Sequence, residues 1–159
     1  MKLVICAVGR LKAGPERQLA ERYLERAGEL APKLGFSGPS VIEIAESRAR
    51  DGSSRRREEG EGLAAKSEGA LRIALDERGA SLTSAEFAEL LGKHRARGAK
   101  VLAFLIGGAD GLARKDVGAT GGTISFGAMT LPHQLVRIVL LEQIYRALTI
   151  RLGHPYHRP

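Results

Sequence analysis

The stretch VLAFLIGGADGL, residues 101–112, sets the reading of the fold. It opens with an unbroken aliphatic and aromatic run, the pattern of a strand buried on both faces. Two glycines then allow a turn and a close approach of the backbone to whatever lies at the strand end. ADGL follows, with Asp110 placed to cap a helix. Strand, glycine turn and helix form the unit of an open α/β sheet, where ligands collect at the carboxyl ends of strands.

Outward from this stretch the same unit recurs. LVICAVG (3–9), VIEIA (41–45), LRIALD (71–76) and TISF (123–126) are short apolar runs bounded by glycine or polar clusters, and read as four further strands. PERQLAERYLERAGEL (15–30) reads as a helix with Leu19, Tyr23, Leu24 and Ala27 on one face, and EEGEGLAAKSEGA (58–70) as a weaker one with three glycines. SLTSAEFAELLGKHRARG (81–98) is a helix that Thr83 and Glu86 cap and Gly98 ends. The spacing predicts an α/β fold, a mostly parallel sheet flanked by helices on both faces.

At 159 residues the chain suits one domain, 1–159, with a short tail at 153–159. Its 43% hydrophobic and 27% charged content is globular, and with 4% aromatics and no Trp the core must be aliphatic. The single cysteine, Cys6, lies inside LVICAV; a buried thiol is expected, and neither a disulfide nor a cysteine metal cage can form. No metal site is expected. No apolar run is long enough to span a membrane, and MKLVICAVGRLKAG is charged too soon for a signal peptide, so a cytoplasmic protein is expected. The net charge of +7 favours a polyanionic partner.

Nucleotide fingerprints are missing. GGADG lacks the GxGxxG spacing, and GxxxxGK[ST] does not occur. The acids of LDERG (75–79) stand just past a strand and read as caps or solvated charges. SFGAMTLPH (125–133) is more telling, because Phe126, Met129 and Leu131 are apolar where a loop should be polar and so need a cover, either ligand or partner. Pro132 suits a first helical position. The helix to about Leu152 is apolar around much of its circumference, which implies packing on a second chain as well as the sheet, most economically in a homodimer. Glu142 and Arg146 make a favourable i,i+4 pair, and Gly153 with Pro155 ends the helix. Residues 47–62, SRARDGSSRRREEGEG, hold five arginines and read as a solvated loop, or as a mobile loop that binds phosphate.

LIGGADGL, SFGAMTLPHQLVRIVLLEQIYRA and the terminal HPYHR together resemble the SPOUT-class methyltransferases that modify N3 of a pseudouridine in bacterial 23S ribosomal RNA, and the likeness runs over the whole chain. The resemblance implies a trefoil-knotted α/β homodimer, with S-adenosylmethionine as methyl donor and the bacterial ribosome as partner. It places the donor on Leu75, Gly107, Phe126, Gly127, Ala128, Met129, Thr130 and Leu131. The tail then supplies chemistry: His154 or His157 as candidate base, Tyr156 against the target base and Arg158 on an RNA phosphate. His133 competes for a substrate-side role, or simply holds a backbone group at the helix start, and Arg137 would orient the RNA or the tail. The rival expectation is a non-enzymatic RNA-binding or ribosome-assembly protein on the same fold, which would have no use for a donor pocket.

Overall fold

The computed structural model describes residues 1–112 and 118–157. Five strands, β1 (Lys2–Val8), β2 (Ser37–Ile44), β3 (Leu71–Ser81), β4 (Val101–Ile106) and β5 (Thr123–Ser125), form one sheet in the order β2-β1-β4-β3-β5. Every pairing is parallel, as the apolar runs require. Alternation along β1 shows why both faces must be covered. Leu3, Ile5 and Ala7 enter one core cluster, whereas Val4, Cys6 and Val8 enter the other. Burial pushes the Cys6 thiol pKa up, keeping it protonated and unreactive.

The larger cluster lies under α1 (Pro15–Leu30), α3 (Ser84–Ala96) and α4 (His133–Leu152). The smaller one is closed by Leu63 of α2 (Gly52–Lys66). On α1 the buried residues are Ala20 and Ala27, not Leu19, which is 37% exposed. Alanines on the inner face let α1 lie close against its neighbours, and the larger side chains are displaced to the flanks. Thr83 and Glu86 form the expected reciprocal capping box on α3. Pro132 precedes α4 as its N-cap rather than starting it, and Gly153 ends it in the left-handed conformation.

Two expectations need correction. The arginine-rich stretch is not a loop through residue 57, because α2 begins at Gly52, with the Asp51 carboxylate accepting the Ser54 N–H at 2.8 Å as an N-cap. Nor does β3 stop at LDERG. Its register with β5 shifts between Leu75 and Ala80, so Asp76, Glu77, Arg78 and Gly79 are carried past the sheet and pairing resumes at Ala80. The helix expected after GGADGL falls outside the described residues.

Candidate functional site

The carboxyl ends of β3, β4 and β5 open into a cleft of about 690 Å³, a size suited to a small organic ligand. The fold makes this cleft through local peculiarities at each strand end. After β4, Gly107 and Gly108 bring the backbone in, and a Cβ at Gly107 would stand 2.8 Å from Gly111 O. After β5, Gly127 takes φ 133°, and the Ser125 hydroxyl accepts from Gly127 N at 3.0 Å and donates to Gly127 O at 2.8 Å. That turn sends Phe126, Met129 and Leu131 to line the cleft. Beyond Leu75 in β3, the shifted segment places Asp76 and Glu77 on the opposite wall, and Thr130 Oγ1 donates to Glu77 Oε2 at 2.8 Å to join the two sides.

The GGADG turn is held from outside. Arg55 on α2 donates from Nε to Asp110 Oδ2 at 2.6 Å and from Nη2 to Asp110 Oδ1 at 3.0 Å, a forked pair. Its Nη1 also donates to the carbonyls of Ala49 and Arg50, each at 3.0 Å. The hydrogen bond from Arg55 keeps the Asp110 carboxyl below the usual carboxylate range, and Arg56 adds to the effect through its charge. A residue read as part of a solvated loop thus latches the cleft wall.

Of the expected donor residues, Leu75, Gly107, Phe126, Gly127, Met129, Thr130 and Leu131 all line the cleft, and Ala128 does not. His133 lines it too, with Nε2 3.9 Å from Glu46 Oε1. Arg137 is 1% exposed. Its guanidinium bonds Glu43 of β2 and the carbonyl of Gly9, 2.9 Å away, and so pins α4 to the ends of β1 and β2. Asp76 and Glu77, read as caps or solvated charges, also line the cleft: Asp76 accepts the Arg78 N–H at 2.9 Å and Glu77 is exposed, and the signal for their place on the wall was LDERG itself, directly after a strand end.

The tail is elsewhere. None of His154, Tyr156 and His157 lines the cleft of its own chain. Tyr156 turns back onto α4, where its ring meets Tyr145 edge-on at 4.7 Å, lies 5.1 Å from the Arg146 guanidinium and donates its hydroxyl to Glu142 at 3.2 Å. Burial, a hydrogen bond with Tyr23 and the Glu142 charge push its pKa up to about 12. His154 Nδ1 accepts the Tyr156 N–H at 3.1 Å, and His157 Nδ1 is buried without a partner among the described residues. Arg158 lies outside the described residues. Among the described residues no cluster of acids, histidines or cysteines could hold a metal, and no helix is long and apolar enough to cross a membrane.

A parallel α/β sheet with a glycine-walled, largely apolar cleft at its strand ends defines a class of proteins that bind a small cofactor-like molecule there. Within that class the chain belongs to the SPOUT methyltransferases: the family model described as "Predicted SPOUT methyltransferase" matches residues 1–157. Similar proteins bear the name "Ribosomal RNA large subunit methyltransferase H". The one from Rhodopseudomonas palustris (strain BisB18) is 54% identical over 99% of each chain. That from Bradyrhizobium sp. (strain ORS 278) is 52% identical over 99% of this chain and 98% of its own. A third, from Nitrobacter hamburgensis (strain DSM 10229 / NCIMB 13809 / X14), is 53% identical over 99% of each.

Proposed function

We propose that this protein transfers a methyl group from S-adenosylmethionine to N3 of a pseudouridine in a stem-loop of 23S ribosomal RNA, acting as a knotted homodimer on the assembled ribosome. The observation that carries the reading is the cleft itself, which gathers Leu75, Gly107 and the 126–131 loop at three strand ends. These residues fit the donor: Leu75, Phe126, Met129 and Leu131 offer apolar walls to an adenine, and the glycines let backbone groups reach its edge. The carboxylates of Asp76 and Glu77 suit a cationic sulfonium. When bound, the donor supplies an electrophilic methyl group.

The chain's own residues supply alignment and proton removal. N3 of the target base loses its proton as it gains the methyl, so a base must stand beside it. The tail histidines are the candidates. In His154 the Nδ1 lone pair already accepts a hydrogen bond, which favours the tautomer with the proton on Nε2, so His157 is the better placed base. Tyr156, whose hydroxyl donates to Glu142 and whose ring packs on Tyr145 in the isolated chain, would stack on the target base or donate to it once released from α4. Because the tail lies away from its own cleft, it serves the donor site of the second subunit, against which the exposed Leu135 and Leu131 would be covered.

The test is transfer of labelled methyl from S-adenosylmethionine to bacterial ribosomes, with ribosomes lacking the pseudouridine as control. Incorporation that vanishes in the control is expected. Equal incorporation into both would overturn the assignment of the base, and no incorporation despite donor binding would overturn that of the acceptor.

A further inference from the structure

Residues 46–57 run along the cleft without belonging to it. At one end, Glu46 Oε1 stands 3.9 Å from Nε2 of His133, a cleft residue. At the other, Arg55 forks onto Asp110, also a cleft residue, and Gly52 presses so close that a Cβ there would lie 2.6 Å from Asp110 Oδ1. A segment latched to the cleft wall through Arg55 and approaching it again at Glu46 forms its rim.

The charges on this rim are sorted. The acids on and next to it make local contacts: Asp51 caps α2, Glu58 accepts the Ser47 hydroxyl, Glu46 stands near His133, and Glu59 accepts the Ser47 N–H at 3.0 Å through Oε1 while its Oε2 is buried without a partner among the described residues. Among its arginines only Arg55 is spent inward. Arg48, Arg50 and Arg57 are exposed, and none forms an ion pair among the described residues. Half-buried Arg56 sits near enough to Asp110 to depress its pKa, with its Nε buried and without a partner. Four guanidinium groups on or next to a segment latched to the cleft wall therefore have their hydrogen-bonding forks unfilled, and Arg56 among them acts on the cleft residue Asp110 through its charge. A guanidinium is planar, always charged and weakly hydrated, and it matches the oxygens of a phosphate two at a time.

We propose that Arg48, Arg50, Arg56 and Arg57 form a phosphate-binding rim that grips the RNA backbone next to the nucleotide presented to the cleft. The inference rests on the proposed reaction, in that the anion is the ribose-phosphate chain of the methyl acceptor. Contacts of this kind set the position of an RNA without reading its sequence. They suit a protein with 4% aromatics, which has few rings on which to stack bases.

The experiment measures binding of the full chain to purified bacterial 70S ribosomes across a salt series, beside calorimetric titration with S-adenosylmethionine. Each single-stranded phosphate neutralised contributes about 0.7 to the slope of log affinity against log salt. The triple variant R48A/R50A/R57A should flatten that slope by about 2 and weaken binding roughly tenfold or more near physiological salt. Its donor affinity should be unchanged, and the corresponding triple lysine variant should keep most of the slope. An unchanged slope in the alanine variant overturns the proposal, as does an equal loss of donor affinity, which would mean that the rim had collapsed. Wild-type chain that binds ribosomes with the full slope but methylates nothing would sink the proposed reaction and leave the rim standing. Methylation with binding indifferent to the three arginines would do the reverse.

Discussion

Gly107 carries no side chain because there is no room for one. A Cβ there would come within 2.8 Å of Gly111 O and 2.9 Å of Gly111 C, and backbone atoms cannot yield cheaply. G107A is expected to cost about 1–3 kcal/mol of overpacking strain and to lower donor affinity roughly tenfold or more; a melt and a donor titration measure the two separately. Asp110, one turn away, offers a pH test. Its folded pKa is depressed by Arg55, so the latch is intact above the ordinary value of 3.8 and is lost as pH falls through the lower folded value. The difference in Tm between wild type and D110N should stay constant from pH 7 to about 5 and shrink in more acidic buffers. A gap that persisted unchanged at pH 3 would mean that the carboxylate charge is not what holds the turn. In the tail, H157A should abolish turnover and H154A should reduce it, with donor affinity unchanged in both; the methyl-transfer assay and a donor titration measure the two separately. Residue identities on the cleft were legible where a rule was broken, as with apolar Phe126, Met129 and Leu131 in a loop. Arg137 was singled out to orient the RNA or the tail, but its burial against Glu43 and Gly9 O was not legible, because partners 94 and 128 positions away leave no local signal.

Among the elements, those whose order is set locally were readable and those set by distant partners were not. The bodies of β1 and β4 are continuous apolar runs, and α3 announces itself through Thr83 and Glu86. T83A should therefore cost about 1 kcal/mol, seen as a lower denaturation midpoint, with donor affinity untouched because α3 does not reach the cleft. The start of α2 gives no such signal. GSSRRREEGEG is rich in poor helix formers, and DG reads as a turn. What tips it into a helix is Asp51 capping Ser54 together with the long-range fork from Arg55 to Asp110, a partner 55 positions away. The continuation of β3 is equally non-local. Pairing resumes at Ala80 only because Gly79 passes close over β5, where a Cβ would meet Ile124 C at 2.5 Å. Both corrections turn structure read as solvent-exposed into walls or supports of the cleft.

At the scale of the whole molecule, the cleft proposed for the donor and the tail proposed for the chemistry lie on different parts of one chain. The cleft gathers the ends of β3, β4 and β5, while Tyr156 is docked beside Tyr145 and Glu142, well along α4. No periodicity in the sequence could report that separation. If the proposed homodimer joins the tail of one subunit to the cleft of the other, two defective chains can repair each other. A variant with a ruined donor site, G107V, and one lacking residues 154–159 should each be inactive alone. Random mixing makes half of the dimers hybrid, and each hybrid holds one intact cleft facing one intact tail. Activity on ribosomes should then recover to about a quarter of wild type. Where tail and cleft of the same chain work together, every site in the mixture pairs a good part with a bad one, and activity stays at zero. Mixing by joint refolding or co-expression, followed by the methyl-transfer assay, separates the two arrangements without any knowledge of the interface.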